Sequence, residues 1–137
     1  LKLHNLISLL GSTGLIVIIV LIYLVTHRKL LFVVHLTYFI FFTYVLSILI
    51  QSIHQTRPYW YDSRIQGGDW TCPLNFGNPS GHSFAIVLFI ALISDYIGYR
   101  KFHLLAIPLI FIWVIIPLSR LYLGQHSSNQ ILFGETL

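Results

Sequence analysis

Two arginines, two histidines and a serine–glycine step fall in three short clusters along the chain: Arg57-Pro58-Tyr59-Trp60, then Pro79-Ser80-Gly81-His82, then Ser119-Arg120 with His126 six residues beyond the arginine. Together they supply what phosphoryl transfer through a covalent enzyme intermediate needs: cations for a dianion, backbone donors, a nucleophile and a proton donor. A guanidinium fork holds two phosphate oxygens at once and keeps its proton near neutral pH, which makes Arg57 and Arg120 natural clamps. Ser80 stands just before an apolar run, where a helix N-terminus offers N–H groups to an anion. It can cap that helix or bond a phosphate oxygen, and Gly81 lets the backbone approach closely. A neutral imidazole can attack phosphorus and a protonated one can donate to the leaving alkoxide, so His82 and His126 complete the set, with the two roles open between them. Six residues make about 1.7 helical turns, which would put Arg120 and His126 on different faces of a regular helix. A bend or loop is expected between them, with Gly124 a candidate position.

The elements that carry these clusters are set by composition. Hydrophobic residues make up 56% of the 137 and charged ones 9%, far below the roughly 25% charged share of a soluble domain. A bilayer core of about 30 Å takes about 20 apolar residues per helical span. Leu6–Val25 is the first such stretch, broken only by Ser8, Gly11, Ser12, Thr13 and Gly14, and Leu30–Ile53 is the second, with His35 inside it. A third runs from about Ser83 to Gly98 with Asp95, and a fourth from about Leu104 to Leu118 with Pro108 and Pro117. A fifth begins near Ser127 and stops at Leu137, as if truncated. The first stretch is longer than a signal-peptide core and is followed at once by another span, which favours a retained helix. The expected fold is all-α: a polytopic transmembrane bundle of about four complete spans plus a truncated fifth.

If each span crosses once, the two short basic loops, Thr26–Lys29 (His27, Arg28, Lys29) and Tyr99–His103 (Arg100, Lys101), share one side. The Lys/Arg bias of cytoplasmic loops assigns that side to the cytoplasm and places His54–Gly81 and Ser119–Gln130, with all three clusters, on the other. Lys2, Arg57, Arg64 and Arg120 balance the count until Arg57 and Arg120 are set aside as chemical. The net charge of +4 is not clustered on a solvated face, so no nucleic-acid partner is expected. Asp95, near Arg100 and Lys101, is expected to pair at the cytoplasmic boundary. His4, His27, His35, His54 and His103 are read as structural or interfacial, and Cys72, alone, cannot form an internal disulfide.

In this order the three clusters resemble the signature of the type 2 phosphatidic acid phosphatase (PAP2) superfamily, which includes the vanadium haloperoxidases. Arg57–Trp60 and Ser119–Leu123, with His126, Gln130 and the Thr71-Cys72 pair ten residues before His82, are most similar to its glucose-6-phosphatase branch. The resemblance covers roughly Leu30–Leu137. It implies His126 as nucleophile forming a phosphohistidine, His82 as general acid, Arg57, Arg120, Ser80 and Gly81 as phosphate ligands, and a site without metal or cofactor. Tyr59 and Trp60 would line the entrance, and Gln130 would orient the nucleophilic imidazole through its amide.

Two positions depart from the superfamily pattern. Its first cluster has a lysine seven residues before the arginine, where this chain has Ile50, and many members have an aspartate at the position of Gln130. The glutamine is also found in the glucose-6-phosphatase branch and counts more against a lipid substrate than against catalysis. The expected division is 1–29, first transmembrane helix and cytoplasmic loop, and 30–137, a PAP2-like phosphatase domain incomplete at its C-terminus. The expected function is an integral-membrane phosphomonoesterase acting on a sugar phosphate, glucose-6-phosphate-like, or a lipid phosphate. It would sit in the endoplasmic reticulum or another endomembrane, with the site facing away from the cytoplasm and membrane lipids around it. The competing expectation is a catalytically silent PAP2-like subunit of a larger membrane complex, which Ile50 favours and the retained histidines and arginines oppose. A haloperoxidase is disfavoured by the spans.

Overall fold

The computed structural model describes residues 2–9, 15–25, 29–65 and 75–137, and among these every regular element is a helix. In chain order they are α1 (Lys2–Leu9), α2 (Leu15–Val25), α3 (Lys29–Ile53), α4 (Pro58–Tyr61), α5 (Gly81–Ile97), α6 (Tyr99–Phe102), α7 (Ala106–Tyr122) and α8 (Ser128–Thr136). Residues 26–28 of the expected first loop and the Thr71-Cys72 pair lie outside the described residues, as do the side chains of Lys2 and Arg100.

The 25 residues of α3 reach about 37 Å at 1.5 Å each, enough to cross a hydrocarbon core of about 30 Å. Leu30, Val33, Ile40, Phe41, Tyr44 and Ile48 lie exposed along it, an apolar surface suited to lipid rather than water. Its serine and threonine hydroxyls satisfy themselves on the helix: Thr37 donates to the Val33 carbonyl, Thr43 to Phe39, Ser47 to Thr43 and Ser52 to Ile48, at 2.7–2.9 Å. Back-bonding of this kind lets hydroxyls sit in an apolar medium without orphaned donors. Among the described residues α3 alone is long and apolar enough to cross a membrane by length and composition. The sequence reading of about four complete spans is therefore not supported as a count. α5 and α7, at 17 residues each, extend only about 25 Å.

α5 and α7 pack on each other, joined by α8 at one end, and α1 lies on α7. The core between them is Ile86, Phe89 and Ile93 from α5 against Leu109 and Ile116 from α7. Without water to exclude, helices in a bilayer associate through such close packing. α8 crosses the N-terminus of α5 so closely that a Cβ on Gly134 would stand 2.5 Å from the Ser80 carbonyl oxygen.

The opposite end of the bundle is tied by a polar chain that the sequence reading did not anticipate. His35, buried in α3, donates from Nε2 to Asp95 Oδ2 at 2.8 Å, and its Nδ1 then accepts from the Tyr23 hydroxyl. Asp95 was expected to pair with Arg100 or Lys101, and His35 was given no polar partner; the pairing found joins α3 and α5 instead. An acid at a membrane boundary takes the nearest donor whose desolvation is already covered by packing, and a buried imidazole beside it meets that need.

Candidate active site

Local sequence explains how each cluster is presented. Pro58 occupies the first position of α4 and holds Arg57 extended, at φ −83° and ψ 150°. That conformation sends the arginine inward alongside residues 75–77, where Gly77 N–H donates to the Gln55 carbonyl at 2.8 Å. Ser80 caps α5, accepting from the Ser83 N–H at 3.5 Å and from the Ser83 hydroxyl at 3.2 Å. The Asn78–Pro79 peptide that precedes it is cis. α7 ends at Tyr122 with Arg120 in its last turn, and Gly124, at φ +63°, turns the chain. Only glycine suits that turn, because a Cβ there would fall 2.1 Å from Ile65 Cγ2. The turn breaks the helical phase between Arg120 and His126 and carries the imidazole toward Arg57.

Arg57, Arg120 and His126 are 5%, 2% and 3% exposed. His126 donates from Nδ1 to the Gly77 carbonyl at 2.8 Å, so its Nε2 carries the lone pair and accepts from Arg57 Nη1 at 3.2 Å. Burial first, then the charges of Arg57 and Arg120, hold His126 down at about 3, against an opposing pull from the Gly77 bond and with a smaller push from His82. At neutral pH the ring is uncharged with its lone pair on Nε2, the form an imidazole nucleophile would need.

Every N–H of Arg57 meets a protein acceptor. Nε donates to the Asn75 carbonyl at 2.9 Å, Nη1 to the Gln125 carbonyl and to His126, and Nη2 to Asn75 Oδ1 and the Phe76 carbonyl. The sequence reading named Arg57 as a phosphate clamp; what the structure shows is that it staples the 75–77 loop to the Gln125–His126 turn. Asn75, Phe76, Gly77 and Gln125 were missed, since backbone carbonyls leave no side-chain signature. Only the turn-forming run Asn75-Phe76-Gly77-Asn78-Pro79 hinted at an ordered loop there.

Other expected members are placed as follows. His82 lies in the first turn of α5, and Gly81 opens that helix. Tyr59 acts electrostatically on both Arg57 and Arg120. Trp60 packs its ring 6.0 Å from Phe76 and is 41% exposed, beside the Arg57 loop. Arg64 is held by Asp62 through three bonds of 2.8–3.0 Å at the surface. Gln130 makes no hydrogen bond to the imidazole, contrary to the expectation that its amide would hold the ring directly: its amide oxygen accepts from the Ser127 N–H and its Nε2 donates to the Thr56 carbonyl. The Gly77 carbonyl already holds Nδ1, which leaves the amide no free ring nitrogen to take. An apolar groove of about 310 Å³ lined by Val87, Ile90, Leu109, Trp113 and Glu135 lies apart from this cluster. The donors gathered around His126 are N–H groups and cations, a set suited to an anion rather than to a metal.

The sequence profile of the PAP2 superfamily matches residues 26–137. The chain belongs to the PAP2 superfamily. No curated protein sequence matches it. This PAP2 chain superposes on the crystal structure of a transmembrane PAP2-type phosphatidylglycerolphosphate phosphatase from Bacillus subtilis with a TM-score of 0.78 and 22% identity, covering 98% of its own length and 69% of that chain. The shared fold is that of a transmembrane PAP2-type phosphatase.

Proposed function

We propose that this PAP2 chain is an integral-membrane phosphomonoesterase in which His126 is the nucleophile and His82 the general acid. The observation that carries the reading is the pair of bonds on one imidazole: Nδ1–H fixed on the Gly77 carbonyl and Nε2 turned to Arg57 Nη1. A phosphate oxygen entering between them takes over the Nη1 hydrogen, and the Nε2 lone pair then faces phosphorus. Nε2 bonds to phosphorus as the ester P–O bond breaks, and the departing alkoxide takes a proton from His82. In the second step water gives a proton to His82 and attacks phosphorus, the N–P bond breaks, and inorganic phosphate leaves. Arg120 and the N-terminus of α5 balance the equatorial oxygens, with Ser80 and Gly81 at that terminus.

The fold neighbour acts on a lipid phosphate, and a site at the membrane margin favours that class of substrate. A sugar phosphate, suggested by the likeness of Arg57–Trp60 and Ser119–Leu123 to the glucose-6-phosphatase branch, is the second candidate. The site faces the non-cytoplasmic side on the loop-charge argument. A silent structural subunit is the competing reading, favoured by Ile50 and by the five protein acceptors that already hold Arg57.

The full-length protein, given ³²P-labelled phosphatidic acid or glucose 6-phosphate, is expected to release phosphate and to trap an acid-labile label that His126→Ala removes. Absence of both label and release with either substrate would favour the silent subunit instead.

A further inference from the structure

Gln130 is 1% exposed and is bonded to the backbone beside each of the three clusters. Its Nε2 donates at 2.8 Å to the carbonyl of Thr56, the residue before Arg57. Its Oε1 accepts at 3.1 Å from the N–H of Ser127, the residue after His126. Its main-chain carbonyl accepts at 2.9 Å from the N–H of Ser80. We propose that Gln130 is the positioning residue of this site, an amide clasp that sets the distance between the Arg57 guanidinium and the His126 imidazole without touching the substrate. The inference rests on the phosphatase reading for its kinetic consequence, though not for its geometry.

The plain alternative is that Gln130 serves only its own helix. Ser127 is the N-cap of α8 and Gln130 its third residue, so the bond from the Ser127 N–H is half of a capping box. The bond to the Thr56 carbonyl lies outside that motif and requires a donor. Glutamate fills the capping box as well as glutamine does and suits the helix N-terminus by its charge, yet an ionised carboxylate cannot donate to Thr56. Gln130→Glu therefore separates the two roles. Gln130→Met, of similar volume and without polar atoms, removes both side-chain bonds and brings no charge near Arg57.

Why the clasp should matter to rate follows from how closely the reacting groups are placed. Arg57 is fixed to the 75–77 loop and to Gln125, and His126 to Gly77, but the approach of the Thr56–Arg57 strand to the start of α8 is closed by the amide. A misplacement of about 1 Å at a reacting centre can cost on the order of 100-fold in rate. The charged groups facing His126 are Arg57, Arg120 and His82, so a looser clasp also weakens the field that keeps the ring uncharged.

The test compares the full-length parent with Gln130→Met and Gln130→Glu, with activity counted per folded molecule. Both variants are expected to lower kcat by about 30-fold or more with KM within about threefold. In Gln130→Met the acid limb of kcat/KM should move to higher pH, which a loss confined to helix capping would not produce. Amide hydrogen exchange gives an arm independent of turnover: the Gly77 N–H, bonded to the Gln55 carbonyl beside Thr56, should exchange about tenfold faster or more in both variants, whereas a loss confined to helix capping leaves it protected in Gln130→Glu. Variants as active as the parent, with an unmoved acid limb, overturn the clasp, and so does Gly77 exchange that Gln130→Glu leaves unchanged. A parent that turns over no phosphomonoester but shows the exchange pattern overturns the phosphatase reading and keeps the clasp.

Discussion

An imidazole buried beside two guanidinium groups is uncharged because its environment is hostile to a third positive charge. His126 is held at about 3 by burial, then by Arg57 and Arg120, against roughly 6.5 in an unfolded chain. Between those values the unfolded state binds a proton that the folded state refuses, so stability falls as the pH drops through that window. The expected slope is at most about 1.4 kcal/mol per pH unit. Its sign is the reverse of that for a histidine that gains an acidic partner on folding. Thermal midpoints of the parent and of His126→Gln, followed from pH 7 to pH 4, check this: the parent should lose ground on acidification by more than the variant. Equal slopes would mean that the ring is solvated and protonates as in an open chain. The same residue scale explains why Arg57 is harder to assign than its type suggests. With all five donors on protein acceptors, it holds the site's shape and meets His126 through one of them.

The helix ends decide where the chemistry stands. α5 begins at the cap supplied by Ser80, α7 ends two residues after Arg120, and α8 is laid across the start of α5. Gly134 permits that crossing, and alanine there would place Cβ 2.5 Å from the Ser80 carbonyl oxygen. Gly134→Ala is therefore expected to destabilise the protein by about 1–3 kcal/mol, the usual cost of overpacking a site that cannot relax. Because the displaced element carries Gln130, phosphate release should fall as well. A lowered melting midpoint in detergent together with lowered turnover would bear this out. An unchanged midpoint would show that α8 can ride away from α5 without cost. The capping and back-bonding hydroxyls along α3 and α5 serve the same end, since each helix enters an apolar medium with its polar groups already satisfied.

For the whole molecule, the two polar clusters lie at opposite ends of α3 and α5. His126 and its partners sit near the end of α3 and the start of α5, while Tyr23, His35 and Asp95 join the start of α3 to the end of α5. On the proposed orientation the loops at the two ends face different compartments, with the Lys101 end cytoplasmic. In a Cys72→Ser background, a cysteine at Lys101 should react with an impermeant thiol reagent only from the cytoplasmic side. A cysteine at Asp62 should react only from the opposite side. Labelling of both from one side would remove the proposed orientation.

The sequence alone determined that the chain is helical, apolar and a PAP2 relative, because periodicity, composition and the types of Arg57, His82, Arg120 and His126 are written locally. It also marked Gly124 as the residue between Arg120 and His126 able to reset the chain. What it left undecided was held in backbone atoms and in contacts between distant segments. The carbonyls of Gly77 and Gln125 have no side-chain signature, and Gln130 was expected to partner the imidazole only because the family resemblance implied it. His35 and Asp95, 60 residues apart, could find each other only once α3 and α5 were packed. Hydrogen-bond partners are chosen by proximity in three dimensions among many acceptors of equal chemistry, and that choice belongs to the tertiary structure.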